Sequence, residues 1–256
     1  MTFPILKLPI LAVEHILHQF DDCDLQSSSQ WIDQEKDKRS RFEIGYFKQN
    51  TGRELEMSAV ASHILNVFIN CKQTSLHIDF GNLEFDLETF LGFIDQIENL
   101  TVSGNSESCQ NDIISILENV RVTKFLISET LITNPEVLLY LNTPRVEIKR
   151  STLNSDDIVK FLLKWKNSDR EMNKIEIVII HSTGKITTLD YQKLDAKPWD
   201  PKKREKVYRN LKQGEMDCSR GMDIENENGL LGTILMCCST FWFVIWHQRF
   251  RRNNTL

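Results

Sequence analysis

The chain has 256 residues, 41% of them hydrophobic, enough for one large core or two modest ones. A formal charge of −5 argues against nucleic acid as the main partner. The six cysteines (Cys23, Cys71, Cys109, Cys218, Cys237, Cys238) include no Cys-x-x-Cys pair and no histidine at zinc-finger spacing. Free thiols in a reducing cytosol or nucleus are expected, and neither a metal nor a cofactor is.

At the N-terminus no basic region followed by a long apolar run precedes Pro4, so no secretory signal is expected. Pro9 suits the first turn of a helix, where its missing N–H costs nothing. Behind it Val13, Ile16, Leu17 and Phe20 share one face at i, i+3, i+4 and i+7. Phe3, Leu6 and Leu8 add an apolar arm. Periodicity alone gives an amphipathic helix docked on its own domain. His15 and His18 lie three apart on it without a carboxylate or thiolate pattern nearby, so they read as exposed histidines.

The particular residues, Phe3-Pro4-x-Leu6-x-Leu8-Pro9 followed by Ile16-Leu17, Phe20 and Asp24-Leu25, resemble the opening of an F-box. In that family the segment docks on the Skp-type adaptor of an SCF ubiquitin ligase. The resemblance implies Phe3, Pro4, Leu6, Leu8, Pro9, Val13, Ile16, Leu17 and Phe20 as the adaptor-binding residues. It covers residues 1–25 and then stops. An F-box continues with two more helices, whereas Gln26 to Ser40 is polar and nearly core-free. The F-box thus looks truncated after its first helix, with weakened or lost adaptor binding as the consequence.

Residues 26–56 read as a polar linker in which Phe42, Ile44 and Tyr46 alternate as one edge strand would. Glu54 to Asn70 is expected to be a helix, with Val60, Ile64, Leu65, Val67 and Phe68 on one side. From there the chain repeats itself. Five aliphatic or β-branched runs recur: Leu76 to Phe80, Leu100 to Ser103, Lys124 to Ser128, Arg145 to Lys149 and Lys174 to Ile180. They start roughly every 20 to 30 residues, the period of a leucine-rich-repeat-like array of strand plus helix. Segments with helical spacing separate them: Phe90, Phe93, Ile94 and Ile97, then Ile113, Ile116 and Leu117, then Ile158, Phe161, Leu162 and Trp165. Asp86 and Ser155 suit helix N-caps, and Asn134-Pro135 reads as cap plus first-turn proline of a helix Pro135 to Leu141.

The helix Ser155-Asp-Asp-Ile-Val-Lys-Phe161-Leu162-Leu-Lys-Trp165 resembles one in the type-2 F-box-associated domain. That family's C-terminal signature is an Asp-Ile-x-x-x-x-Gly run followed by Phe-x-Phe-Val-[VI]-Trp. Both parts occur here, as Asp223-Ile224…Gly229 and Phe241-x-Phe243-Val244-Ile245-Trp246. The match spans Ser58 to Trp246. It implies an α/β fold, a leucine-rich-repeat-like strand–helix array with a parallel sheet, closed by C-terminal antiparallel strands and preceded by a short N-terminal helix. The domains are then a partial F-box helix at 1–25, the linker at 26–56, the associated domain at 57–247 and a tail at 248–256. Within the associated domain lie the array (58–180), a basic connector (192–213) and C-terminal strands (222–247).

The connector carries Lys193, Lys197, Lys202, Lys203, Arg204, Lys206, Arg209 and Lys212, with Trp199 and Tyr208 interleaved. Asp195, Asp200 and Glu205 dilute its charge, so it reads as a solvated connector with a short helix near Glu205 to Leu211, not a nucleic-acid grip. Gly229 to Trp246 is uncharged and just long enough for a transmembrane helix. Against that, Asn228-Gly229 is a hairpin signal and Phe241, Phe243 and Ile245 alternate with Trp242, Val244 and Trp246. Strands with Trp246 packed inside are the expectation, and a membrane anchor through 229–246 the alternative. Cys237 and Cys238, on a strand, would point to opposite faces and share no metal.

No His-Glu-x-x-His, Gly-x-Ser-x-Gly, Walker-type loop or dinucleotide fingerprint occurs, so no enzyme is expected. The resemblance implies a substrate-recognition subunit of an SCF-type ubiquitin ligase, cytoplasmic or nuclear, binding an unnamed target protein. A non-ligase interaction protein with a degenerate F-box is the alternative.

Overall fold

The structure, a computed structural model, describes residues 75–80, 96–104, 109–168, 174–183, 186, 188–211 and 214–247. The adaptor-binding segment, the histidine pair, the linker, the helix of Glu54 to Asn70, the helix capped by Asp86 and the tail from 248 lie outside the described residues.

Each of the five aliphatic runs becomes a strand: β1 (Ser75–Asp79), β2 (Gln96–Ser103), β3 (Arg121–Ile132), β4 (Arg145–Ser151) and β5 (Ile177–Ser182). They pair in chain order and every pairing is parallel. Parallel neighbours need a crossover rather than a tight turn. Helix α1 (Cys109–Asn119) supplies one between β2 and β3, and α2 (Ser155–Lys166) another between β4 and β5. Between β3 and β4 the chain crosses through a 3-10 helix, Pro135–Tyr140, whose cap Asn134 accepts from the Glu136 N–H at 3.0 Å.

Three expectations are corrected here. Ile97 belongs to β2, not to a preceding helix. Asn154, not Ser155, caps α2: its side chain accepts from the Asp156 and Asp157 N–H groups while Asp157 accepts from the Asn154 N–H. Both residues are good caps, and the reciprocal bond to Asp157 at N3 selects the earlier one. Glu205 to Leu211 is not helical. Its alternating Val207 and Arg209 extend as β7 (Val207–Leu211) against β8 (Gly214–Asp217) in a separate two-stranded ribbon.

The array is closed by antiparallel strands, as the sequence leads one to expect. β9 (Met222–Glu225), β10 (Leu231–Cys237) and β11 (Thr240–Trp246) follow the ribbon. β11 inserts between β5 and β10, antiparallel to both, and the two-residue β6 (Lys197–Pro198) edges β9. The result is a nine-stranded mixed sheet ordered β1-β2-β3-β4-β5-β11-β10-β9-β6. Residues 229–246 are therefore two strands and not one helix, which overturns the helical anchor. Among the described residues no helix is long and apolar enough to cross a membrane. The loop before β10 is not a two-residue Asn-Gly turn. Asn226 takes the N–H groups of Asn228 and Leu230 at 3.0 and 2.8 Å, and only Gly229 adopts positive φ, at 75°.

Cross-strand register places the core. Leu76, Leu100, Leu126, Val146, Val178, Phe243 and Ile234 form one continuous row across seven strands. Directly paired residues share a face, so this row and the next (Ile78, Val102, Ser128, Ile148, Ile180, Phe241) make the side that packs on the helices. Helix α2 presents Ile158, Phe161, Leu162 and Trp165 to it, and α1 presents Ile113, Ile116 and Leu117. Full burial of such a side chain contributes about 1.5–3 kcal/mol. The two separated sequence motifs meet here. The Phe243 ring stands edge-on to Trp165 at 4.9 Å and to Phe161 at 6.1 Å. Gly232 makes room for them, since a Cβ there would lie 2.5 Å from the Phe243 ring and 3.1 Å from Trp165.

Candidate interaction face

Opposite the helices, two more rows run across the sheet. One reads Ser75, Asn99, Phe125, Arg145, Ile177, Val244, Thr233; the other reads His77, Thr101, Ile127, Glu147, Ile179, Trp242, Leu235. Among the described residues none of the helices packs on this side. Its character changes along the rows, from mostly polar and charged groups over β1 to β4, with Phe125 and Ile127 among them, to mostly aliphatic and aromatic groups over β5, β11 and β10.

The polar end is cross-linked by its own side chains. Asn99 donates to the Ser75 hydroxyl at 3.0 Å, His77 bonds the Ser103 hydroxyl at 2.9 Å, and Lys149 donates to Glu129 at 2.6 Å. The Lys149 hydrogen bond holds the Glu129 carboxyl below its ordinary range and, reciprocally, raises the Lys149 ammonium. Arg145 lies over the Phe125 ring at 5.2 Å while donating to Glu176 at 3.0 Å. Such ties hold long side chains in one pose and lower the entropy lost when a partner lands on them.

Near the middle, His181 bonds Thr240 through Nδ1 at 3.2 Å and approaches Glu147 through Nε2 at 3.6 Å. Hydroxyl, imidazole and carboxylate stand in the order of a catalytic relay, but the chemistry is not there. The carboxylate contact is longer than a hydrogen bond, and the group lies half-exposed on a sheet surface instead of in a cleft. It serves as a polar patch.

The apolar end is covered by the β7–β8 ribbon. Tyr208 stands edge-on to Trp246 at 5.2 Å, and Ile177, Leu231, Val244 and Cys218 complete a second small core. Trp246 is inside, as expected, but on the face away from the helices. Beneath the ribbon lies the feature that sequence reasoning missed. Arg204, assigned to the solvated connector, is fully buried. It grips Asp223 with Nε and Nη2 at 2.8–3.0 Å and donates to the Cys218 and Glu205 carbonyls. Thr233 donates to Asp223 at 2.7 Å and accepts from the Trp246 indole at 2.8 Å, while the guanidinium stacks 5.0 Å over that indole. Each nitrogen of the guanidinium has a partner, so the network locks the ribbon to the sheet. Burial pushes the nearby Cys218 thiol up to about 11, which keeps it protonated. The signal available in the sequence was Asp223 itself, a carboxylate inside a strand whose register buries it.

A cleft of about 470 Å³ opens beside this network, lined by Trp199, Pro198, Pro201 and Leu231 with charged residues around them. Those charges are already matched: Lys197 with Asp195 at 3.5 Å, Lys203 with Glu225 at 3.4 Å, Asp200 with the Lys202 N–H and Asp223 with Arg204. Among the described residues no group of three or more His, Cys, Asp or Glu side chains converges on a metal position. The sheet face opposite the helices is therefore the best candidate for function. None of this face belonged to the expected site, which lay on Phe3 to Phe20, outside the described residues.

No protein-family model matches the chain, and no solved structure matches it. An uncharacterized protein of Caenorhabditis elegans is 24% identical over an alignment of 252 positions that covers 86% of this chain. The chain spans 57% of that relative's own length.

Proposed function

We propose that the chain is the substrate-recognition subunit of an SCF-type ubiquitin ligase, acting in the cytoplasm or nucleus. Phe3, Pro4, Leu6, Leu8, Pro9, Val13, Ile16, Leu17 and Phe20 dock on the Skp-type adaptor. The sheet face opposite the helices binds the target protein, with no cofactor and no chemistry of its own. One observation carries this reading. The residues that resemble the type-2 F-box-associated domain in two distant stretches, Phe161 and Trp165 on α2 and Phe243 on β11, are in ring-to-ring contact and knit array and closing strands into one core. Five parallel strands in chain order, of which β1 and β4 alternate polar and apolar residues, further support a leucine-rich-repeat-like array. A rigid, self-bonded polar face suits protein recognition.

Co-purification with the adaptor tests the proposal, comparing wild type with Leu8→Ala/Pro9→Ala. Adaptor recovered with wild type and lost with the double variant is the expected result. No recovery with either would leave a non-ligase interaction protein with a degenerate F-box. Recovery that ignored the double change would show that the segment is only a packing element.

A further inference from the structure

The sequence places Cys237 and Cys238 on opposite faces of a strand, but only Cys237 is in one. Cys237 pairs with Thr240 as the last rung of the β10–β11 hairpin, which leaves Cys238 and Ser239 as a two-residue turn. Cys238 has φ of +54°, the first central position of a type II′-like turn, where glycine is the usual occupant. Both thiols are exposed, whereas Cys109 and Cys218 are buried. They also sense each other: hydrogen bonding to Cys238, then its charge, pushes the Cys237 thiol up.

We propose that Cys237 and Cys238 at the tip of the β10–β11 hairpin form a bidentate dithiol site for a soft thiophilic centre, cuprous ion or trivalent arsenic, held between the two sulfurs. Covalent geometry favours a bridge over a direct disulfide. Neighbouring Cα atoms across a trans peptide are about 3.8 Å apart. Relaxed disulfides need about 4.4–6.8 Å, so an S–S bond here is strained. A bridging atom with bonds of about 2.3 Å, the zinc–thiolate value, spreads the sulfurs and relieves that strain. Two thiolates select a soft centre over a hard one.

The capture is balanced without oxidant or reductant. With an arsenoxide, two As–S bonds form, and both thiol protons leave with the arsenoxide oxygen as one water. With copper, each sulfur donates an electron pair, its proton passes to solvent, and the metal stays cuprous. Thermodynamically the second sulfur binds within the same molecule, at high effective concentration.

Phenylarsine oxide on the reduced full chain, followed by intact mass, is the test, with cuprous ion titrated against a chromophoric chelator as the second arm. One equivalent is expected, resistant to excess monothiol and removed by 2,3-dimercaptopropanol. Cys237→Ser and Cys238→Gly should each weaken capture about 100-fold or more, as far as the double change does. Glycine fits the positive φ, so an unchanged melting profile in Cys238→Gly separates lost ligation from lost fold. Cys23→Ser/Cys71→Ser should leave capture intact. Uptake of copper with the same dependence assigns a metal source, and uptake of the arsenical alone a metalloid. Capture that survives the Cys237/Cys238 double change, or that either single thiol sustains at full strength, overturns the proposal.

Discussion

The five parallel strands and the antiparallel strands at the other end of the sheet bury themselves in opposite ways. β1 and β4 alternate between buried and half-exposed residues, while β11 buries all but two of its seven. General experience runs the other way: parallel sheets are usually covered on both faces, and antiparallel ones tolerate water on one. Here the described helices pack on one side of the parallel half, and over β1 to β4 the second side is mostly polar and bonded to itself. At the antiparallel end the β7–β8 ribbon supplies the missing cover, so Val244 and Trp246 become core while Phe241 and Phe243 face α2. Strand direction does not set exposure. What sets it is whether a second layer of chain returns to that side.

The comparison is broken most severely on the helix side of β11. Trp165→Ala removes a fully buried ring from against Phe243 and should cost about 3–5 kcal/mol in denaturant unfolding. Trp242→Ala, one residue along on the other face and half-exposed, should cost far less. Equal losses would show that the two faces are not distinct. Gly232→Ala should cost about 1–3 kcal/mol by overpacking the same rings.

The ribbon's lock is tested next. Arg204→Met leaves Asp223 buried without its counter-charge and should destabilise by about 3–5 kcal/mol. Adding Asp223→Leu should recover much of that loss. If the double variant is no better than the single, the pair is not the lock. Asn154→Ala sharpens the contrast on the covered side at a smaller scale, about 1 kcal/mol, because α2 loses its capping box.

Asp217, at the end of the ribbon, should give the smallest effect. Hydrogen bonds from Ser219, then from Lys206, hold its carboxyl down to about 2. A folded value below the unfolded one stabilises the fold above the ordinary carboxylate range, and that contribution fades as pH falls toward 2. A carboxyl titration followed by NMR should find the low value in wild type and a higher one in Ser219→Ala. An unshifted midpoint in both would mean the ribbon is not docked as described.

Sequence by itself determined the five parallel strands and the order in which they lie. The alternation of Leu76 with Ile78, Leu100 with Val102 and Val146 with Ile148 is local, and local alternation fixes which side chains share a face. The helical spacing of Ile158, Phe161, Leu162 and Trp165, and the cap plus proline at Asn134-Pro135, are local too. Small errors arose where two neighbours competed for one role, as Asn154 and Ser155 did, or where a run continued past its apolar residues, as Ile97 does in β2. Tertiary structure decided the rest. Arg204 looked like any solvated cation because its partner Asp223 is 19 residues away and is brought beneath it by a ribbon with no core of its own. Cys238 left its strand because the hairpin turns there, and Val244 and Trp246 became core because the ribbon folds back over them. Periodicity records how a segment meets its nearest layer. It carries no record of which distant segment supplies the next one, and that contact turned a charged connector into core.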